Sequence, residues 1–277
     1  MRVEPYRWRL TGSFLAHLFK AAVKQHHRGL IPTLAQLIPP DAVVFDVGAH
    51  AGQYTKLFAR AAVCGRVYAF EPGSYARSIL RAVVWLRGLA NVTVLPMALG
   101  AASGITIMSL PIKRRGSLAF GLAHLGKPIE RWPVVAQELV PLTTIDTVVK
   151  VLAPERLDFI KADIEGWELR LLHGAEHALR RFRPRLLIEL CDQHLARAGD
   201  RLVDAFGFLA QLGYTAFERN SGGALVPVVS PGDGDYWFIA ADDPVIGLLP
   251  SPGRADVRSA THSAQNRPDA PSGRSNI

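Results

Sequence analysis

The sequence contains little cysteine and no apolar run that reads as a membrane span. Among its 277 residues only Cys64 and Cys191 are cysteines, and they lie far apart without C-x-x-C spacing, which excludes a disulfide framework and a zinc knuckle. Such sparse cysteine use is typical of a reducing compartment, so we predict a cytoplasmic protein. An uncharged stretch of 25 residues, 88–112, is interrupted by polar residues and prolines, which favours two strands over a transmembrane helix. Because His17 and Lys20 interrupt the apolar run near the N-terminus, we expect no signal peptide there.

Acidic residues are scarce at the N-terminal end of the chain. The formal net charge is +8, and residues 1–40 hold six basic residues against one acid, Glu4. A basic excess attracts acidic partners. No run of Lys and Arg interleaved with aromatic residues is present, however, so nucleic acid is disfavoured as a partner. The six basic residues are Arg2, Arg7, Arg9, Lys20, Lys24 and Arg28.

Residues 11–27 show apolar side chains at helical spacing, beside Lys20 and Lys24. The stripe consists of Phe14, Leu18 and Ala22, together with Leu15 and Phe19. A basic amphipathic helix of this kind packs on the main domain, or it rests on a membrane surface or an acidic partner. The sequence leaves these alternatives open. We predict that residues 1–40 form a helical appendage.

From residue 41 to about 245, apolar strands alternate with helices. The predicted strands are 42–47, 66–71, 91–96, 157–161 and 185–190. Near-continuous apolar strands that alternate with helices indicate a parallel sheet covered on both faces, which is a doubly wound α/β domain. Residues 214–219 and 235–241 predict two further strands joined by a loop, hence an antiparallel pair at the end of the sheet.

Two segments depart from this alternation. Residues 103–140 are predicted to be an irregular insertion, too long for a routine connection and typical of a lid or a substrate-binding loop. Residues 246–277 are rich in Pro, Ser, Asp and Arg, and no aromatic residue follows Pro250. Such a composition cannot bury enough apolar surface to offset ordering, so we predict a disordered tail.

A glycine-rich turn follows the first strand, with Asp46, Gly48 and Gly52 in the segment DVGAHAG. In an open α/β sheet, ligands bind beyond the carboxyl ends of the strands, where glycines let the backbone turn tightly. His50 stands where the dinucleotide fingerprint requires its second glycine, which disfavours an NAD-linked oxidoreductase. Glu71 ends the second strand, 25 residues after Asp46, where a carboxylate can accept the hydroxyls of a ribose.

Six motifs, in order and spacing, resemble the FkbM-type methyltransferases. They are 46–52 (DVGAHAG), 69–72 (AFEP), 97–100 (MALG), 143–146 (TTID), 160–168 (IKADIEGWE) and 184–189 (PRLLIE). The D-x-E-G-x-E block is the specific one, and His50 departs from the family, which usually has Asn there. The resemblance implies a doubly wound, Rossmann-like class I methyltransferase sheet, mostly parallel with a C-terminal antiparallel strand pair. It also implies methyl transfer from S-adenosylmethionine to oxygen, typically a hydroxyl of a sugar, a glycan or a secondary metabolite.

The same resemblance assigns three groups of residues to the methyl donor. It implies that Asp46, Gly48, Ala49 and Gly52 surround the methionine part, that Glu71 binds the ribose, and that Met97 and Ala98 line the adenine edge. The acceptor implied is a small molecule or a glycan.

Acidic residues follow the next two predicted strands. Asp163 follows the fourth strand and Glu189 ends the fifth, with His194 shortly after. Because an alcohol acceptor loses a proton when it is methylated, we predict that Asp163, Glu189 and His194 are catalytic. The same oxygen and nitrogen groups are alternatively ligands for Mg²⁺. Glu165 and Glu168 are expected in the first turn of the next helix, where acids favour the helix N-terminus.

Two other functions share parts of this pattern. An RNA methyltransferase would keep the donor site and carry a basic groove near the insertion, where Lys113, Arg114 and Arg115 lie. A non-catalytic nucleoside-binding module would keep Glu71 but has no need of Asp163 and Glu189, and the presence of both counts against it.

Overall fold

The computed structural model describes residues 2–5, 12–112, 124–125 and 134–249. The α-helices are α1 (Gly12–Val23), α2 (Ile31–Leu37), α3 (Gln53–Ala61), α4 (Ser74–Leu86), α5 (Ile145–Leu152), α6 (Glu168–His173), α7 (Glu176–Phe182), α8 (Asp192–Ala198) and α9 (Leu202–Gln211). The strands are β1 (Arg2–Pro5), β2 (Val43–Val47), β3 (Arg66–Phe70), β4 (Val92–Leu95), β5 (Ala98–Leu99), β6 (Gly104–Ile112), β7 (His124–Leu125), β8 (Val134–Thr143), β9 (Phe159–Ala162), β10 (Arg185–Leu190), β11 (Tyr214–Arg219), β12 (Leu225–Pro227) and β13 (Gly234–Ala240).

The main sheet is eight-stranded over the described residues, in the order β12-β11-β13-β10-β9-β2-β3-β4. The five strands from β10 to β4 are parallel to one another. β13 runs antiparallel to both of its neighbours, β10 and β11. The predicted doubly wound, mostly parallel sheet with a C-terminal antiparallel pair is therefore confirmed. The short strand β12, which pairs with β11, was not predicted.

Apolar side chains cover both faces of the central strands. In β2, Phe45 packs in the layer that contains Phe70, while Val44 packs in the opposite layer with Phe58 and Phe159. Burial on both faces explains why the strand sequences are apolar almost throughout rather than alternating. Because these strands are parallel, the carboxyl ends of β3, β2, β9 and β10 lie side by side at one edge of the sheet.

The insertion is not irregular at its described ends, so that part of the prediction was wrong. β6 and β8 pair antiparallel from Gly104 opposite Leu142 to Ile112 opposite Val134, and they form a second sheet with β1, β5 and β7. β6 is the second of the two strands favoured within residues 88–112, whereas its partner β8 was not predicted. Residues 113–123 and 126–133, which include the basic segment 113–115, lie outside the described residues.

Helix α1 is shorter than the predicted 11–27 and carries apolar side chains on two faces. Phe14 is buried against α4, where its ring meets that of Tyr75 edge-on with centroids 5.7 Å apart. Leu15 and Phe19, expected in the same stripe, are instead 55% and 69% exposed. The difference follows from the turn of about 100° per residue, because Leu15 and Phe19 lie about 100° and 140° around the helix axis from Phe14 and so face away from α4.

Buried Lys56 of α3 anchors the end of α1 to the main domain. Its Nζ donates to the carbonyl oxygens of Ala21 at 2.6 Å and Lys24 at 2.8 Å. Carbonyls in the last turn of a helix lack partners within the helix, and a cation there also opposes the helix dipole. The described part of the predicted appendage therefore packs on the domain.

The division into an appendage at 1–40 and a domain at 41–245 stays a prediction. The first residues of the predicted tail are ordered, because Pro244–Leu248 form a 3-10 helix and Ile246 and Leu249 pack against the core. From Pro250 onward the predicted tail lies outside the described residues. None of the helices that the structure describes is long and apolar enough to cross a membrane.

Candidate active site

The turn after β2 brings three strand ends together. The amide groups of Gly48 and Ala49 both donate to the carbonyl oxygen of Phe70, at 3.1 Å each, which ties the turn to β3. Gly48 has φ +74°, and a Cβ there would lie 2.0 Å from the carbonyl oxygen of Asp163 beyond β9. Gly48 is therefore required both by its left-handed backbone and by the close approach of the neighbouring segment.

His50 also has a left-handed backbone, with φ 49°. Asn, Asp and His are the side chains most often tolerated in that region apart from glycine. The replacement of the family's usual Asn by His50 therefore preserves the turn. Its backbone amide donates to Glu71 Oε2 at 2.8 Å, a bond that does not depend on the side chain.

Glu71 is a buried carboxylate held at the end of β3. Its Oε1 accepts from the amide of Gly73 at 2.8 Å, while Oε2 accepts from His50, so each oxygen retains lone pairs for a further donor. Burial raises the pKa of Glu71 to about 7, although both amide hydrogen bonds favour the ionised form. The side chain is thus orientated and able to accept hydroxyl hydrogens.

A cavity of ≈ 220 Å³ opens beside Glu71. Gly48, Glu71, Met97 and Ala98 of the predicted donor site line it, and so does Asp163. The second sheet closes one wall with Met108, Leu110, Pro111, His124 and Leu125, none of which was predicted from sequence. The insertion thus covers the apolar side of this cavity. The available signal was the position of β6 directly after the predicted adenine edge at 97–98.

Asp46, Ala49 and Gly52 are not among the residues that line the cavity. Buried Asp46 accepts from Thr55 Oγ1 at 2.6 Å, which links β2 to the first turn of α3. Its Oδ1 is buried and has no hydrogen-bond partner among the described residues, and burial raises its pKa. These three residues belong to the turn but do not line the cavity, and their direct role in donor binding stays a prediction.

Asp163 and Glu189, predicted from two different strands, lie together and share a hydrogen bond. Partial burial and the neighbouring charge of Asp163 raise the pKa of Glu189 to about 8. Burial opposes ionisation of Asp163, but Lys161 and the hydrogen bond from Glu189 outweigh it and lower its pKa below the ordinary value. At neutral pH Asp163 is therefore the ionised partner, and Glu189 is the protonated one.

Lys161 is a buried cation that sequence reasoning did not place in the site. Its Nζ lies 3.2 Å from Asp163 Oδ2 and 4.9 Å from the ring centroid of Tyr54. Burial disfavours its charge, but Asp163, Asp46 and Glu189 raise its pKa above the ordinary value. A lysine inside an apolar strand, two residues before a predicted catalytic acid, was the sequence signal that could have revealed it.

His194 pairs with Glu165 rather than with Asp163. His194 Nδ1 lies 3.1 Å from Glu165 Oε2, and burial raises the pKa of Glu165 to about 7 while it lowers that of His194. The predicted helical position of Glu165 was wrong, because α6 begins at Glu168 and Glu165 has φ 56° in the preceding loop. From its position in this loop, Glu165 lines the cavity.

The remaining residues of the D-x-E-G-x-E block hold that loop in place. Gly166 has φ +107°, and a Cβ there would lie 2.2 Å from the carbonyl oxygen of His194. Buried Glu168 Oε1 accepts from the amides of Ile164 at 3.0 Å and Gly166 at 3.3 Å. The block therefore combines two cavity-lining acids, Asp163 and Glu165, with two residues that fix their geometry.

The Mg²⁺ alternative has no support here. Within the described part of the chain, no group of three or more His, Cys, Asp or Glu side chains is arranged to hold a metal ion.

Gly48→Ala should destabilise the fold more than Gly88→Ala, although both glycines have positive φ. A Cβ at Gly88, φ +61°, meets no atom within 4 Å, so that variant isolates the backbone strain of about 1 kcal/mol. The clash with the carbonyl of Asp163 should add about 2 kcal/mol for Gly48→Ala. Urea unfolding followed by circular dichroism measures both losses, and equal losses would show that β9 moves aside without cost.

The reversed strand β13, placed between β10 and β11, distinguishes this sheet from one that binds a dinucleotide. With a buried carboxylate at the end of β3 and an apolar cavity of nucleoside size beside it, the fold and the site define a class I methyltransferase. Residues 46–216 match the methyltransferase FkbM domain family, and the chain belongs to this family of S-adenosylmethionine-dependent methyltransferases. The resemblance of the six motifs is thereby confirmed.

Solved structures of several methyltransferases are similar to the chain at low identity. An FkbM methyltransferase from Methylobacillus flagellatus KT is 16% identical with a TM-score of 0.48, over 82% of this chain and 59% of that one. The chain thus spans about three fifths of that protein's length. An O-methyltransferase from Bacillus cereus in complex with SAH is 14% identical with a TM-score of 0.46, over 83% of this chain and 92% of that one. An rRNA methylase from Streptococcus thermophilus is 14% identical with a TM-score of 0.43, over 78% and 95%. No curated protein sequence matches the chain.

Proposed function

We propose that the protein transfers a methyl group from S-adenosylmethionine to a hydroxyl oxygen of a sugar, a glycan or a secondary metabolite. The observation that carries the proposal is that one cavity is lined both by Glu71 and by Asp163 with Glu165. β3 and β9 flank β2, so the two ends of the site are separated by two strand spacings, about 10 Å. That distance accommodates a nucleoside whose reactive end faces the second set of acids.

The residues present fit the donor. Glu71 offers carboxylate lone pairs to ribose hydroxyls, and the contact of such hydroxyls with an ionised acceptor is strong. Met97, Ala98, Met108 and Leu110 supply an apolar slot for an aromatic base. S-adenosylmethionine supplies a methyl group bound to a sulfonium sulfur. An acceptor oxygen attacks this methyl group in line and displaces the sulfur.

The chain's own residues then orientate the acceptor and take up its proton. Ionised Asp163 accepts a hydrogen bond from an incoming hydroxyl, while Lys161 behind it keeps the carboxylate charged and fixed. Glu165, which lines the same cavity and pairs with His194, is able to accept hydrogen bonds from other hydroxyls. Hydroxyl groups donate hydrogen bonds both to carboxylates and to imidazole. A polyhydroxylated acceptor therefore matches this wall better than an apolar acceptor does.

Turnover should rise as the pH increases through about 8. Below that pH the pair Asp163 and Glu189 already shares one proton, whereas above it Glu189 is ionised and the pair can accept the proton of the acceptor. Glu189→Gln should remove this rise and leave a flatter profile. Exposed Glu155→Gln serves as the control and should retain it. If the rise in turnover at about pH 8 persists in Glu189→Gln, a group other than Glu189 is responsible for it.

The activity itself is tested with purified full-length protein and donor labelled at the methyl group. Simple sugars, nucleotide sugars, glycans, hydroxylated aromatic metabolites and a bulk RNA sample are the acceptors. Label that enters a base-stable ether of a hydroxylated small molecule or glycan supports the proposal. Label that enters RNA alone, or no calorimetric binding of S-adenosylmethionine, overturns it.

A further inference from the structure

The outer face of α1 is an apolar ridge that the described residues of the main domain do not cover. Leu15, Phe19 and Val23 follow one another at four-residue spacing and are 55%, 69% and 60% exposed. Side chains four apart lie one above the other on a helix, so the three form a continuous ridge. Large exposed apolar side chains are ordinary when scattered, but a contiguous ridge marks an interaction surface.

The ridge is bordered by positive charge. Lys20 lies about 100° around the helix from Phe19, and Lys24 continues the same flank beyond the end of α1. Residues 5–40 contain no Asp or Glu, and Arg7 and Arg9 precede the helix in the sequence. The ridge is therefore apolar at its centre and basic at its margin.

Further cations lie near the end of α1. Burial, together with the charges of Arg87, Arg60 and Arg28, lowers the pKa of Lys56, the lysine that anchors α1, to about 8. Trp85, next to the end of α4, is 80% exposed. Tryptophan and long basic side chains are the residues enriched where a protein meets the headgroup layer.

The ridge cannot turn inward, because the opposite face of α1 is fixed. Phe14 packs on Tyr75, and His17 Nδ1 lies 2.8 Å from the Tyr75 hydroxyl. Lys56 holds the carbonyls at the other end of the helix. A helix anchored along one side and apolar on the other presents its ridge without a conformational change.

We propose that the outer face of α1 docks onto an anionic lipid bilayer. Leu15, Phe19 and Val23 enter the boundary between headgroups and acyl chains, while Lys20 and Lys24 contact anionic headgroups. A surface that binds an acidic protein needs only the cations. The combination of an apolar ridge with a basic margin matches a bilayer instead. This proposal does not depend on which hydroxyl the enzyme methylates.

The test is sedimentation of the full-length protein with vesicles of phosphatidylcholine alone and of phosphatidylcholine with one quarter phosphatidylglycerol. The wild type should bind the anionic vesicles at least tenfold more tightly than the neutral ones, and 0.5 M salt should weaken that binding. Phe19→Glu should reduce binding at least tenfold, and so should the double variant Lys20→Glu/Lys24→Glu. Val229→Glu, an exposed apolar position 94% exposed elsewhere on the surface, is the matched control and should bind as the wild type does.

Donor binding by calorimetry checks that each variant is folded, and the lysine variant keeps the test valid if Phe19→Glu fails to fold. Equal binding to neutral and anionic vesicles, or unchanged binding by both variants, overturns the proposal. So does a dimer in size-exclusion chromatography that Phe19→Glu dissociates while vesicle binding is absent, since the occupant would then be a second copy of the chain.

Discussion

Asp163→Asn should lower turnover by about 10²-fold or more and leave S-adenosylmethionine affinity nearly unchanged. The substitution keeps the shape of the side chain but removes the charge that Lys161 holds in place at 3.2 Å. Because Asp163 lies beyond β9 while Glu71 lies beyond β3, loss of the charge affects the acceptor rather than the nucleoside end. Single-turnover kinetics with labelled donor, combined with calorimetry, separates the two effects.

Asp41→Asn is the matched control for that experiment. Asp41 is an exposed carboxylate that pairs with Arg156 away from the cavity, so its amide variant should retain both turnover and donor affinity. If Asp163→Asn loses donor binding and turnover together, Asp163 belongs to the donor site or to the framework. The assignment of the chemical role would then be wrong.

Glu71→Ala should reduce S-adenosylmethionine affinity by about 2 kcal/mol or more, which is roughly a thirtyfold weaker binding constant. The variant removes the charge-assisted acceptors for the ribose hydroxyls, together with the bonds from the amides of His50 and Gly73. Affinity of the wild type should also fall as the pH drops below about 7, because protonated Glu71 has less acceptor capacity. Glu71→Gln should be weak at every pH and show little of this dependence.

Glu138→Ala is the control that separates donor contacts from support of the neighbouring helix. Glu138 accepts from the amide of Ser74 at 3.0 Å, at the start of α4, without lining the cavity. It should lower thermal stability slightly and leave donor affinity unchanged. Unchanged donor affinity in Glu71→Ala, or tighter binding of NAD than of S-adenosylmethionine by the wild type, would contradict the donor assignment.

The main sheet and the position of Glu71 were predictable because both depend on local sequence. Strands buried on both faces read as apolar runs, and the spacing from Asp46 to Glu71 follows from one strand–helix–strand unit. The same logic placed Asp163 and Glu189 on adjacent strand ends, where they meet.

The pairing of His194 with Glu165 could not be predicted in the same way. It depends on the left-handed backbone of Glu165 and on Gly166, which lets the loop approach the backbone of His194. Met108 was missed for a different reason. It reaches the cavity through a second sheet whose pairing joins segments about thirty residues apart, across a stretch without helical or strand periodicity.

The pairing of β1 with β8 has a consequence for synthesis of the chain. Arg2 lies opposite Val134, so β1 has no partner strand until residue 134 has left the ribosome. At about 5–20 residues per second, that interval is on the order of ten seconds, during which β1 is an unpaired edge. Pairing of β1 is therefore a long-range event in the folding of the second sheet. The main sheet combines both kinds of event, because β2, β3 and β4 emerge in succession and can pair early, whereas β2 meets β9 only after residue 159 has emerged.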